Sequence, residues 1–307
     1  MILLCGATGD LGGRIARMLS ASHEPFRVLV RPKADPAALI ALGAEVELGD
    51  ITDPTSLAPA MQGLDTVITT ANAIGRMLAG VKNVSIRGVD RDGNVNLIEA
   101  AERGGVRRFI FVSMAGINEE RAHLAPLAAA KLMAESSLLA SGMQPVIVRP
   151  DKFQEVWLSP ATGVDPANGR MRIFGEGRMQ ERHVAEDDVA ELVVALATES
   201  DPPAIVEFGG PEPLSPLDVA DAVESAFGVP IKRSHVPRIA MRAGAAMTKR
   251  LKPEIASLMG MALYSDTHPI NWTDEPLTSR SIRPRTTTEY LTSLAGQSVS
   301  STSNAGS

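Results

Sequence analysis

The chain has 307 residues, enough for one large domain or two ordinary ones, and 44% of them are hydrophobic, which excludes a disordered polymer. A net charge of −6 argues against a binder of nucleic acid, whose footprint is basic, and an aromatic share of 4% argues against an all-β sandwich or a base-stacking module. Cys5 is the single cysteine, so an internal disulfide framework and a Cys-rich zinc site are excluded, and no metal site is expected.

Taken in chain order, strand-like and helix-like stretches alternate. Residues 2–5 are a short apolar run ending at Gly6, as in a buried parallel strand. With no signal-type segment at that end and no run of 18 apolar residues, a cytoplasmic protein without an integral membrane segment is expected. The pattern then predicts a helix over 10–20, a strand over 26–30, a short helix over 36–43 and a strand over 46–48. It continues with a helix over 54–61, a strand over 66–70, a helix over 92–103, a strand over 108–112, a helix over 126–140 and a strand over 145–148. Such repeated β-α units require a parallel sheet covered on both faces, so the expected class is α/β, a doubly wound Rossmann sheet in residues 1–150.

After Pro150 the rhythm changes. Residues 151–184 read as loop-rich, 186–198 as a helix opened by acids, 204–208 as a strand, and 211–263 as two or three helices with a strand near Ile231. We expect 185–210 to return to the Rossmann sheet, and 151–184 with 211–295 to form a smaller, partly interleaved substrate region. Residues 296–307, serine-rich and without apolar period, read as a disordered tail.

The turn from first strand to first helix is Gly6-Ala-Thr8-Gly9-Asp10-Leu11-Gly12. Its G-x-x-G-x-x-G spacing is a variant of the dinucleotide fingerprint: Gly6 for the turn, Gly9 for close approach of a pyrophosphate, Gly12 for packing of helix on strand. The helix N-terminus would face the anion with its free amides. The second strand ends in Val30-Arg31-Pro32-Lys33, where an NAD-selective site carries an acid. Arg31 and Lys33 would instead pair with a 2′-phosphate, so NADP(H) is expected, with NAD(H) as the alternative.

These residues resemble the NmrA-like, atypical branch of the short-chain dehydrogenase/reductase superfamily. The matching pieces are GATGDLGG at 6–13, LVRPK at 29–33, GDITD at 49–53, GVDRDGNVNLIEAAERGGVRRFIFVS at 88–113, Lys131 through IVRPDKF at 147–153, RHVAEDDVAELV at 182–193 and FGGPEPLSPLDVADAV at 208–223. The resemblance spans about residues 1–235. It implies that Asp50 and Ile51 frame the adenine, that Thr70, Ala71 and Asn72 line the ribose-diphosphate path, and that Pro150 and Phe153 flank the nicotinamide. Asp50 read as a cap of the next helix and Phe153 read as core are the alternatives.

The family's Tyr-x-x-x-Lys pair is only half present. Lys131 matches the lysine, whereas Leu127 stands where the proton-donating tyrosine would be, and Ala115, close to Ser113, stands in the serine place. Tyr264 and Tyr290 lie far along the chain. Reduction of a ketone needs a positioned proton for the developing alkoxide, while a quinone or enone spreads the charge and depends less on a strong acid. Lys131 is therefore the candidate catalytic residue, as proton or hydrogen-bond donor, or else solely a ribose anchor. The expected function is an NADPH-dependent reductase of a small apolar conjugated acceptor. The rivals are a non-catalytic NAD(P)-binding sensor and, more weakly, a sugar-nucleotide epimerase.

His123 is a second candidate acid, and a solvated loop histidine otherwise. His183 reads as structural, Glu186, Asp187 and Asp188 as acids favouring a helix start, and Cys5 as buried and inert. Trp157 and Phe174 belong in the substrate wall or the core. From Arg238 to Lys252 five basic residues occur with no acid. At helical spacing Arg238, Arg242, Lys249 and Lys252 share one face, with Ala240, Ala243, Met247 and Leu251 opposite. The helix reads as a cover over the substrate cleft, with weak peripheral membrane contact as the alternative. The expected partner is a small-molecule substrate, and the oligomeric state is left open.

Overall fold

A strand whose two faces are both apolar can be stable only inside a covered sheet, and most of the strands here are of that kind. The structure is a computed structural model that describes residues 1–78 and 80–304, with side chains as far as Gln297. The strands are β1 Ile2–Cys5, β2 Phe26–Val30, β3 Glu45–Leu48, β4 Thr66–Thr69, β5 Arg108–Val112, β6 Gln144–Pro150, β7 Val164–Asp165, β8 Arg170–Phe174, β9 Ile205–Phe208 and β10 Lys232–Val236. Seven form one sheet in the order β3-β2-β1-β4-β5-β6-β9, every neighbouring pair parallel. The remaining three form a small sheet, β10-β8-β7. This is the expected doubly wound Rossmann architecture, and β9 lies beside β6 on the large sheet.

The helices are α1 Asp10–Ala21, α2 Ala37–Ala41, α3 Ile74–Leu78, α4 Asn94–Arg103, α5 Glu119–Leu124, α6 Pro126–Leu139, α7 Gln154–Trp157, α8 Glu186–Thr198, α9 Pro216–Phe227, α10 Arg238–Thr248, α11 Pro253–Ser265, α12 Glu275–Thr278 and α13 Thr287–Asn304. Alternate strand positions divide the core into two layers. Leu4, Val28, Ile110 and Val148 pack under α1 and α8, while Leu3, Val67, Phe109 and Ile147 pack under α4 and α6. Arg108, 1% exposed, fastens the first layer. Its guanidinium donates to the carbonyls of Leu196, Ala197 and Ser200 at 2.9, 2.8 and 3.2 Å, supplying the cation and donors that the C-terminus of α8 lacks.

Several local expectations are corrected. Residues 54–61 are two 3-10 turns, Pro54–Ser56 and Pro59–Met61, because Pro59 has no amide to donate and would clash one turn back. The helix expected from 92 is preceded by a π-helical turn, Arg87–Gly93, and becomes α-helical only at Asn94. Residues 151–184 hold α7, β7 and β8. The basic run is α10 followed by a turn, with Pro253 opening α11. The stretch from 296, expected to be disordered, continues α13 to Asn304, and residues 305–307 lie outside the described ones.

Candidate active site

The loop between β1 and α1 is closed by its own glycines. Gly6 has φ +89°, the left-handed region that glycine enters without strain, and a Cβ there would stand 2.5 Å from the Thr70 hydroxyl. At Gly12 a Cβ would stand 2.1 Å from the Gly6 carbonyl, so α1 sits directly on the turn. Gly9 differs: its backbone is extended (φ −91°, ψ 171°), and a Cβ would meet only the Gly6 oxygen, at 3.4 Å. Nothing in the protein requires glycine there. Gly9 carries no side-chain cap for α1, and among the described residues the amides of Asp10, Leu11 and Gly12 have no acceptor. Thr8, Gly9 and Asp10 are exposed at this mouth, whereas the Leu11 side chain is core. An uncapped helix end with open space before it is a place for an anionic group.

At the end of β2, Arg31 is half-buried and Lys33 exposed, and neither has a side-chain partner among the described residues. A third cation joins them that the sequence reading missed. Arg76 on α3 is also unpaired, and burial together with the nearby Arg31 charge makes its protonated form less favourable, with Asp50 opposing. Two unpartnered guanidiniums in one neighbourhood await an anion. The Asp50 carboxylate accepts from the Thr52 amide and hydroxyl at 2.9 and 2.8 Å, and the following turn is capped by Asp53 instead. Ile51 is buried against Gly93, its carbonyl accepting from Asn96, so only its backbone is available to an adenine.

Beyond β4, the Thr70 hydroxyl donates to the Cys5 carbonyl at 3.3 Å, Ala71 is half-buried and Asn72 exposed. Cys5 is buried, and burial pushes its thiol pKa up, so it is inert. The 69–73 segment is held from behind by two residues that sequence reasoning did not single out. Buried Asn94 donates toward the carbonyls of Ala71, Val89 and Asp90, and accepts from the Thr69 hydroxyl at 3.1 Å. Buried Asp90 accepts from the Ala73 amide at 3.1 Å and leaves its second oxygen, Oδ1, without a partner.

Lys131 reaches across from α6. Its Nζ donates to the Val112 carbonyl at 2.8 Å and lies 5.0 Å from the centre of the Phe111 ring. Burial disfavours its ammonium, against which Asp90 and Glu135 act, and burial raises Asp90 to about 6. At the end of β5, the Ser113 hydroxyl is buried with no partner, Ala115 donates its amide to the carbonyl of buried Pro150 at 2.8 Å, and Leu127 joins an apolar cluster with Ile86, Ala128 and Met261. Ile74, Met77, Met114 and Trp157 pack on that cluster. The place of the acid is thus hydrocarbon.

Two cavities adjoin this end of the sheet. One, narrow at about 50 Å³, is walled by Trp157, Leu158, Val164, Met171, Ile173 and Phe174 and bounded by Lys152, Glu181 and His183. Lys152, another residue sequence reasoning passed over, is ion-paired with Glu181 and lies 4.6 Å from the Trp157 ring centre. His183, 3.6 Å from Glu181, is pushed down to about 4 by burial and then by the Lys152 charge. The other cavity, about 220 Å³ and polar, lies beyond Glu181 and is lined by Arg121, Asp151, Glu207, Tyr264 and His268. Tyr264 stacks on His268 there, and Tyr290 packs beside α9.

Other candidates are elsewhere. Phe153, half-buried, bridges to Val184 and packs on the α1–α8 layer just after the end of β6. His123 is exposed on α5. Glu186 and Asp187 pair with Arg14, and Asp188 with Arg285, so this acidic turn joins α8 to α1 and to the C-terminal segment.

Open space at Gly9, free amides on α1, unpaired arginines after β2 and on α3, and orphan oxygens beside Lys131 all fit a dinucleotide lying along the carboxyl ends of the strands. The class so defined is the NAD(P)H-binding Rossmann protein of the extended short-chain dehydrogenase, NmrA-like kind. Residues 6–200 match the family described as NAD(P)H-binding, and the chain belongs to it. It is 28% identical over 256 residues to an NAD(P)H azoreductase of Xenophilus azovorans, covering 83% of this chain and 82% of that one. It is 33% identical over 204 residues to the uncharacterized sugar epimerase YhfK of Bacillus subtilis, covering 64% and 88%. A crystal structure of an NADPH-dependent quinone oxidoreductase from Escherichia coli superposes with a TM-score of 0.76 at 19% identity, over 96% of this chain and 99% of that one, which establishes a shared fold. No helix among the described residues is long and apolar enough to cross a membrane.

Proposed function

We propose that this protein is an NADPH-dependent reductase acting on a small, apolar, conjugated acceptor such as a quinone or an enone. The observation that carries the reading is Leu127, buried among apolar side chains where a proton donor would stand, with Lys131 retained one turn along the helix. Bound NADPH supplies hydride. Gly6, Thr8, Gly9, Asp10, Leu11 and Gly12 would hold the pyrophosphate, Arg31, Lys33 and Arg76 the 2′-phosphate, Asp50 and the Ile51 backbone the adenine, and Thr70, Ala71, Asn72 and Pro150 the ribose and nicotinamide side.

Within that arrangement Lys131 anchors the ribose and sets a positive charge beside the reacting end, its ammonium kept by Asp90 against the cost of burial. An acceptor seated against Trp157 and Met114 meets no side-chain acid at Leu127. A ketone would have to carry a localised alkoxide there, whereas a quinone or enone delocalises the charge and collects its proton afterwards. The relatives named above, an azoreductase and a quinone oxidoreductase, reduce conjugated groups according to their names, which supports the reading.

The test is NADPH oxidation against a panel of quinones, enones and simple ketones. Turnover of conjugated acceptors only, at least about tenfold weaker in Lys131→Ala, is expected. Tight NADPH binding with no turnover of any acceptor would replace this reading with a sensor. For the coenzyme, calorimetry should show NADPH bound more tightly than NADH, with Arg31→Asp or Arg76→Ala removing about 1–3 kcal/mol of that preference. Equal affinities in the unaltered protein would refute the phosphate clamp.

A further inference from the structure

Helix α10 turns its apolar side the wrong way for a simple cover. It packs on α11 through Met241 and Ala245, with Gly244 so close that a Cβ would stand 2.3 Å from the Met259 sulfur. Ala240, Ala243, Met247 and Leu251, the whole of the expected apolar face, are instead exposed, because the small residues of α10 make the close contact. Ile239 is 80% exposed, Met247 79% and Leu251, in the following turn, 88%, the three largest such values among the described large hydrophobic residues. A soluble surface does not gather its most exposed apolar side chains in one short segment without a use for them.

The charges around this row are of one sign. Arg238 is consumed by Asp266 and Glu176 on the inner side. Arg242, Lys249, Arg250 and Lys252 are exposed and in no ion pair among the described residues, and no acid occurs from Arg238 to Lys252. This patch belongs to a chain whose net charge is −6. A second copy is a poor occupant, since a two-fold contact would set each cationic patch against its twin. An anionic bilayer surface answers both features: apolar tips enter the acyl boundary while arginine and lysine heads stay at the phosphates.

We propose that α10 and residues 249–252 dock this protein on anionic lipid surfaces. The inference stands apart from the identity of the acceptor. The test is sedimentation of the full chain with phosphatidylcholine vesicles, with and without phosphatidylglycerol, at low and high salt. Binding only to the anionic vesicles, weakened about tenfold or more by salt, is expected. Met247→Asp with Leu251→Asp, and separately Arg250→Glu with Lys252→Glu, should abolish it while NADPH affinity and the melting temperature stay unchanged. Absence of binding to anionic vesicles at low salt, equal binding to neutral ones, or full binding by either double variant overturns the proposal. So does a dimer in solution that the Met247→Asp, Leu251→Asp variant dissociates, since the face would then belong to a second copy.

Discussion

Two glycines of one loop separate folding from binding. Gly12→Ala forces a Cβ against the Gly6 carbonyl and should cost about 2 kcal/mol or more in chemical denaturation. Gly9→Ala meets open space with permissive backbone, so stability should stay within about 0.5 kcal/mol while NADPH affinity falls at least about tenfold, read by melting and calorimetry. His183 makes a pH prediction. The unfolded chain protonates this imidazole below its ordinary 6.5, the folded protein only near 4, so stability is lost as pH falls from 6.5 toward 4. His183→Gln should remove about 2 kcal/mol of the stability difference between pH 7 and pH 5. Gly9, Gly12, Arg31 and Lys131 were readable in the sequence because each acts through a neighbour close along the chain or a fixed spacing. Asp90 beside Lys131, Arg76 near Arg31 and Lys152 on Glu181 were not, since only the order of strands brings such distant positions together.

At the level of elements, the alternation of strands and helices was readable because parallel strands buried on both faces are written as short apolar runs. Pro59 should have warned against a helix over 54–61, and the π turn was hidden because its apolar spacing passes for α-helical. Arg108 gave no signal either, as its acceptors lie on α8. Arg108→Leu strips donors from three carbonyls at that helix end and should cost about 3 kcal/mol in urea unfolding, with α8 amides the first to lose exchange protection. An unchanged unfolding midpoint would show that the cap carries no stability.

The whole molecule is threaded rather than partitioned. The chain leaves the large sheet after β6, builds β7 and β8, returns with α8 and β9, then leaves again, and Leu277 and Ile282 come back into the α1–α8 layer. A fragment of residues 1–150 would therefore lack the cover over Val146 and Val148 and the three carbonyl acceptors of Arg108. It should show no cooperative unfolding transition, a prediction checked by calorimetry of that fragment. The full chain should gain about 2.7 kcal/mol at NADPH about a hundred times its Kd, raising the melting temperature by a few degrees.

The π-helical turn at Arg87–Gly93 constrains how this chain can evolve. In that turn the Asn94 amide reaches back to the Val89 carbonyl, one residue further than in an α-helix, and the extra residue sets the phase between Asp90 and the helix that follows. Deleting one residue between Asp90 and α4 (positions 91–93) would rotate the preceding positions by about 100° against α4 and carry the Asp90 carboxylate away from Lys131. Substitutions along 87–93 should thus be tolerated far better than any change in its length, and a deletion library across the segment would measure the difference.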